Sequence, residues 1–140
     1  MSFREKSAWI TLATILFVAL LVTLEAPPPW TLAPESSGFM VQLLLVSIAL
    51  FVVIEIVAHV VVAIRSPRDA KAPLDERERL ISLKSTSVAA YVYAFLSLGS
   101  IATIHLGANG IGIAYAVLIS FVIAEAVKYA VRIGYYRRGV

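Results

Sequence analysis

The 140-residue sequence contains no cysteine. This absence excludes disulfide bonds, thiolate metal sites, covalently attached c-type haem and cysteine nucleophiles. Charged residues are also scarce, at 15% of the chain, whereas a typical soluble domain has about 25%. So few polar side chains could not form a water-facing shell, and the composition therefore predicts a membrane protein.

Enzyme signatures are missing as well. The sequence has no G-x-S-x-G motif, no H-E-x-x-H motif and no glycine-rich loop of the kind that cradles phosphate groups. No hydrolase or kinase activity is indicated. We therefore expect a protein that is not an enzyme, with no catalytic residues, no cofactor and no dedicated metal site.

Hydrophobic residues make up 60% of the chain, and they are concentrated in four stretches at about 7–24, 39–64, 88–106 and 111–133. Each stretch is close to the roughly 20 residues that a helix needs to cross the hydrocarbon of a bilayer. The first could be taken for a signal peptide, but it is longer than the usual apolar core and no cleavage site follows. We expect a single all-α domain over residues 1–140 with four transmembrane helices.

The 12 Lys and Arg residues fall into three clusters, at residues 4–6, 65–84 and 128–138. Four crossings would place all three clusters on one side, which by the positive-inside rule is the cytoplasm. Both termini are then cytoplasmic, in a bacterial inner membrane. This placement explains the isoelectric point near 9.4 without nucleic-acid binding, so we expect the lipid bilayer and no nucleic acid as a partner.

The segment at 75–84 reads as the cytoplasmic start of the third helix, predicted over 75–106. Asp75 and Glu78 have the spacing of a capping box, and Asp75 and Arg79 are placed to pair along the helix. The acids stand at the positive end of the helix dipole, where negative charge is favoured. The charged array is most simply a capped helix start. A docking surface for a partner is the alternative, with these candidate residues: Asp75, Glu76, Arg77, Glu78 and Arg79.

The third helix is rich in alanine, serine and glycine. Small residues allow membrane helices to approach closely. We therefore predict that this helix lies at the centre of the bundle or at a subunit interface, in a homodimer or a larger homo-oligomer.

An internal repeat relates the second and fourth predicted helices. The segment FVVIEIVAHVVVAIR at 51–65 aligns with FVIAEAVKYAVRIGY at 121–135 and matches Glu55 with Glu125. Both halves would run from inside to outside and back, which makes the duplication parallel, with its axis along the membrane normal. The fold prediction is thus two tandem hairpins, and an approximate two-fold axis would bring the two glutamates face to face.

Four ionisable residues within the apolar stretches are candidate proton- or ion-binding groups: Glu55, His59, Glu125 and Lys128. In one interpretation they are structural: Glu125 pairs with Lys128, while Glu55 bonds to His59 or to a serine of the third helix. In the other, two carboxylates and a histidine form a polar site that exchanges a proton or binds a cation, because ionisable groups within a membrane usually have a function. A metal held by Glu55, His59 and Glu125 is a weaker third possibility.

The motif DERERLISLKS and the closing YYRR resemble a group of small prokaryotic four-helix membrane proteins that share an Asp-Glu-Arg-Glu loop motif. The opening MSFREKSAWITL is similar to the start of many small proteobacterial membrane proteins. The resemblance implies the four-helix topology and an inner-membrane location, and it implies no activity.

Two functions follow as hypotheses. The first is transport or permeation of a proton, small cation or small solute through a core that contains the paired glutamates. The second is an accessory or regulatory subunit that docks a membrane or cytoplasmic protein through the segment at 75–84.

Overall fold

The computed structural model describes residues 3–65, 67 and 75–138, and every regular element among them is helical. The four long helices are α1 (Phe3–Glu25), α2 (Ser37–Arg65), α3 (Glu76–Ile101) and α4 (Gly110–Arg138). Each is long and apolar enough to cross a membrane. The all-α class and the four long apolar helices are therefore confirmed.

Polar residues at the ends of the apolar stretches are also helical, so each long helix has more residues than its apolar stretch. The third predicted helix, at 75–106, changes character near its end: α3 stops at Ile101 and a 3₁₀ helix follows over Ala102–Leu106. Gly107 then adopts a left-handed conformation with φ 90° and terminates the segment, a conformation that glycine adopts without steric cost. A short connection over residues 107–109 leads to α4.

The four helices lie side by side in the order α2, α1, α4, α3. The most extensive packing joins α3 to α4, and α1 packs on both α2 and α4. The prediction that helix three lies at the centre is therefore wrong for the single chain, because α1 and α4 occupy the central positions. Its small residues serve instead to bring α3 close to α4.

Small residues on α4 form a regular ladder. They recur at every fourth position and are all buried: Gly112, Ala116, Ser120 and Ala124. This spacing places them along one side of the helix. At the contact with α3, the buried hydroxyl groups of Ser100 and Ser120 lie 3.1 Å apart and form a hydrogen bond between the helices. Bonds of this kind contribute about 0.6 kcal/mol each in membrane proteins.

The connection between α1 and α2 folds over the start of α4. It contains two 3₁₀ turns, Pro29–Thr31 and Pro34–Ser36, and the first packs on α4. Asn109 holds this connection against α4, because its side-chain Nδ2 donates to the Leu32 carbonyl oxygen at 2.7 Å. Its Oδ1 accepts the backbone N–H groups of Ile111 and Gly112, each at 3.0 Å, and so caps α4.

The other end of the molecule is held by a capped helix start and an ion pair. Asp75 and Glu78 form the predicted capping box, in which the Asp75 N–H donates to Glu78 Oε2 at 3.3 Å. Arg4 of α1 lies 2.8 Å from the same Glu78 oxygen. The expected ion pair between Asp75 and Arg79 is not formed, because the Asp75 carboxylate caps the helix instead.

Candidate proton- or cation-binding site

A polar cluster lies between α1 and α2, and we name its four members, Ser7, Thr11, Glu55 and His59, the α1–α2 cluster. Glu55 and His59 are one turn apart on α2 and therefore share a face. Thr11 Oγ1 donates to Glu55 Oε2 at 2.9 Å. Ser7 Oγ lies 2.6 Å from His59 Nε2. Both α1 partners are hydroxyl groups, one turn apart on their own helix.

The imidazole of His59 connects the two ends of the cluster. Its Nδ1 lies 2.9 Å from the backbone carbonyl oxygen of Glu55 and 3.3 Å from the carboxylate Oε2. In the Nδ1–H tautomer, this nitrogen donates toward Glu55 while Nε2 accepts the Ser7 hydroxyl proton. The atoms therefore form an unbroken line of polar contacts from Ser7 through His59 to Glu55 and Thr11.

The second carboxylate oxygen of Glu55, Oε1, is left without a hydrogen bond in this cluster. Oε1 is buried and has no hydrogen-bond partner among the residues that the structure describes. The Glu55 side chain as a whole is 17% exposed, against 34% for His59. A buried carboxylate oxygen without a donor is costly unless a proton, a cation or water satisfies it. Glu55 is therefore the residue at which a proton or small cation would be held.

Glu125 and Lys128 form a separate pair on α4. Lys128 Nζ donates to Glu125 Oε2 at 2.5 Å, and it also lies 5.0 Å from the centre of the Tyr129 ring. The predicted pairing along the helix is thus confirmed. This carboxylate is neutralised within its own helix and is not brought into contact with Glu55.

The expected face-to-face arrangement of the two glutamates is not found. α1 lies between α2 and α4, and Glu55 turns toward Thr11 of that intervening helix. The serine of helix three proposed as a partner of Glu55 is likewise replaced by a threonine of α1. In the described part of the chain, no three His, Asp or Glu side chains come together as a metal site would require, so Glu55, His59 and Glu125 do not form the hypothetical ligand set.

Of the five candidate docking residues, all except Glu78 are exposed. Asp75 and Glu78 make contacts within the chain, through the capping box and the Arg4 ion pair. The preceding part of the loop, residues 66 and 68–74, lies outside the described residues. Docking through this segment remains a prediction.

Ser7 and Thr11 were not identified from the sequence as partners of the ionisable residues. The only signal was their polarity at the start of an apolar stretch, at positions that share a helical face. The internal repeat does not specify which side chains meet across a helix pair.

Known proteins do not identify the chain: no protein-family model, curated protein or solved structure matches it. The resemblance to small four-helix membrane proteins therefore stays a prediction. The function must be argued from the α1–α2 cluster and from the charges at the helix ends.

Proposed function

We propose that the protein moves protons or small cations across a membrane, with the α1–α2 cluster as the binding site. The observation that carries the proposal is the buried Oε1 of Glu55, which lacks a donor while Oε2 is held by Thr11 and approached by His59. A carboxylate with one oxygen free of donors, within an apolar helix, can bind and release a proton or a small cation.

The membrane arrangement belongs to the proposal. The positive-inside rule puts the cationic helix ends, including Arg4 and Arg138, in the cytoplasm of a bacterial inner membrane. Glu55 lies ten residues before Arg65, so about 15 Å along α2 separates the two. Two parallel hairpins, α1 with α2 and α3 with α4, are the proposed repeat units. Ser7, near the α1 start, then faces the cytoplasmic water and Glu55 lies deeper.

Proton transfer through the cluster follows from its hydrogen bonds. A proton that arrives by way of the Ser7 hydroxyl binds His59 at Nε2. The imidazolium can then release its Nδ1 proton to the Glu55 carboxylate, whose nearer oxygen, Oε2, lies 3.3 Å away, while Oε1 stays open to water or a cation. The ring is neutral again and the carboxyl group carries the proton. Thr11 holds the carboxyl group in position throughout, since its hydroxyl bonds to the same oxygen.

The exposed face of α2, the helix at one edge of the chain, favours a homodimer. The face directed away from α1 is apolar, with Val53 at 58% exposure. A second copy against this face would cover it and leave the α1–α2 cluster, on the opposite side of α2, within its own chain. Because the chain lacks cysteine, the variant Val53→Cys should form a disulfide-linked dimer in the membrane. Phe95→Cys, on the exposed face of α3, is the matched control and should form none.

The transport proposal is tested by flux into proteoliposomes that contain a pH-sensitive dye. Glu55→Gln keeps the side-chain volume and removes the ionisable group, so proton flux should fall to that of empty liposomes. Glu125→Gln removes an ion-paired carboxylate outside the cluster and should retain flux. Potassium and sodium gradients replace the proton gradient in parallel runs.

Equal flux from the wild type and Glu55→Gln would contradict the proposal, as would a wild type that passes none of these ions. Loss of flux in both glutamate variants, with both proteins folded by circular dichroism, would instead favour the predicted paired-glutamate core. The assay therefore separates the two versions of the transport hypothesis.

A second role, as an accessory subunit, is favoured by the exposure of Glu76 and Arg79 at the capped start of α3. Cross-linking in native membranes should then recover a stoichiometric partner. Glu76→Lys should abolish the cross-link because it reverses an exposed charge and leaves the capping box intact. A protein recovered only as copies of itself would argue against this role.

A further inference from the structure

A groove of about 220 Å³ opens between α3 and α4 near the basic end of the molecule. Its lining residues are Glu76, Arg77, Leu80, Ile81, Lys84 and Tyr135. It begins one residue after the N-cap of α3 and ends where α3 enters its long apolar stretch. In a membrane with the proposed orientation, this is the level of the cytoplasmic lipid headgroups.

The charges around the groove leave an excess of one positive unit. Glu76 and Arg77 together are neutral, and Lys84 adds a single cation. Lys84 Nζ lies 5.9 Å from the centre of the Tyr135 ring, and no carboxylate of the described residues forms an ion pair with it. The nearby acid Glu78 is occupied by Arg4. An ammonium group with an aromatic neighbour and no counter-ion is suited to bind a phosphate oxygen.

An exposed apolar stripe continues from the groove along α3. Leu80 and Lys84 share a helical face with Tyr91, Phe95 and Leu98. The last three are among the most exposed side chains of the protein, at 80%, 77% and 70%. Leu98 lies about 21 Å from Lys84 along the helix axis, which is comparable to the length of an acyl chain. A headgroup site and an acyl-chain track are therefore aligned on one helix face.

We propose that this groove binds an anionic phospholipid, with the phosphate at Lys84 and Tyr135 and an acyl chain along the exposed stripe of α3. Basic pockets between helices on the cytoplasmic side are suited to such headgroups. The stripe favours a lipid over a soluble phosphate compound, because only a lipid uses the groove and the stripe together. The groove shares no residue with the α1–α2 cluster, which lies in the other helix pair.

The proposal is tested by native mass spectrometry of the full chain in detergent, titrated with dioleoyl phosphatidylglycerol or dioleoyl phosphatidylcholine. The wild type should bind the anionic lipid more tightly. Lys84→Gln should weaken this binding about tenfold, since a direct hydrogen bond to a charged group contributes about 1.5 kcal/mol. Arg79→Gln is the matched control: it removes an exposed cation of the same helix that does not line the groove, and it should leave binding unchanged.

Two further measurements test the proposal independently of Lys84→Gln. Lys84→Arg retains the charge and should retain the preference for the anionic lipid. Raising the salt concentration should weaken binding to the wild type by screening, so the proposal can be tested even if Lys84→Gln does not fold. Inorganic phosphate and glycerophosphoglycerol are used as competitors without acyl chains.

Equal affinity for the two lipids, equal loss in Lys84→Gln and Arg79→Gln, or binding that is insensitive to salt would each overturn the proposal. Binding of inorganic phosphate as tight as that of the lipid, with the same dependence on Lys84, would assign the groove to a soluble anion and overturn it as well.

Discussion

The carbonyl oxygen of Pro29 occupies the space that a β-carbon on residue 112 would need, because Gly112 lets the loop between α1 and α2 lie directly on the backbone of α4. Gly112 is buried in the first turn of α4, and Pro29 opens the first 3₁₀ turn of that loop. The loop is therefore a packed part of the fold and not merely a connection between spans.

Gly112→Ala should lower the free energy of unfolding by about 1–3 kcal/mol, the usual cost of forcing an extra carbon into a packed contact. The opposing atoms belong to the Pro29 backbone and cannot rotate away. Unfolding in mixed detergent and SDS, followed by circular dichroism, measures the effect.

Gly99→Ala is the matched control, because a β-carbon at that position in α3 meets nothing within 4 Å. It should raise the free energy of unfolding by about 0.5–1 kcal/mol through the better helix propensity of alanine. Equal effects of the two substitutions would contradict the close approach of the loop to α4.

Asn109 has two separable roles that substitution can distinguish. Asn109→Asp keeps the oxygen that caps α4 and removes the donor to the Leu32 carbonyl, so a loss of about 0.5–1.5 kcal/mol is expected. Asn109→Ala removes both and should cost about 1 kcal/mol more. Chemical unfolding measures the two steps. Equal losses would mean that only one of the two contacts contributes.

Glu78 also has two roles that substitution can distinguish, one in the capping box and one in the ion pair with Arg4. Glu78→Gln retains an acceptor for the capping box but removes the charge that pairs with Arg4, with an expected loss of about 1 kcal/mol or less. Glu78→Ala removes the cap as well and should lose about 1 kcal/mol more. The difference between Glu78→Gln and the wild type should shrink at high salt, and a difference that is independent of salt would argue against the ion pair.

The proposed orientation predicts opposite labelling of two single-cysteine variants. Ser36→Cys, in the loop between α1 and α2, should react in intact cells with a maleimide that cannot cross membranes. Arg79→Cys, near the start of α3, should react only after the membrane is opened. Both report cleanly because the chain has no other cysteine. Labelling of both, or of neither, in intact cells would exclude this topology.

Local patterns predicted the helices and the start of α3 well. The apolar stretches predict the four long helices because the length that each helix needs depends on the thickness of the hydrocarbon and not on the other helices. The capping box of Asp75 and Glu78 is also local, since both residues belong to one turn.

The lateral order of the helices was not predicted, because it depends on which surfaces pack best. Ser120, whose hydroxyl group meets that of Ser100 in α3, lies within an apolar run and was not identified as a contact between helices. The same limit applies to Glu55. Its charge marked it as a candidate, but its hydroxyl partner Thr11 lies 44 residues away in the chain.

The central pairing of α1 with α4 has a consequence for biogenesis. These are the first and the last of the described helices, so their contact forms only after α4 has been synthesised. The contact of Arg137 with the Trp9 ring, 5.3 Å from guanidinium to ring centre, is among the last to be made. The α1–α2 pair must therefore persist without its α4 contact until then. A nascent chain that stalls after α3 would leave the α4-facing side of α1 open to lipid and to quality-control proteases.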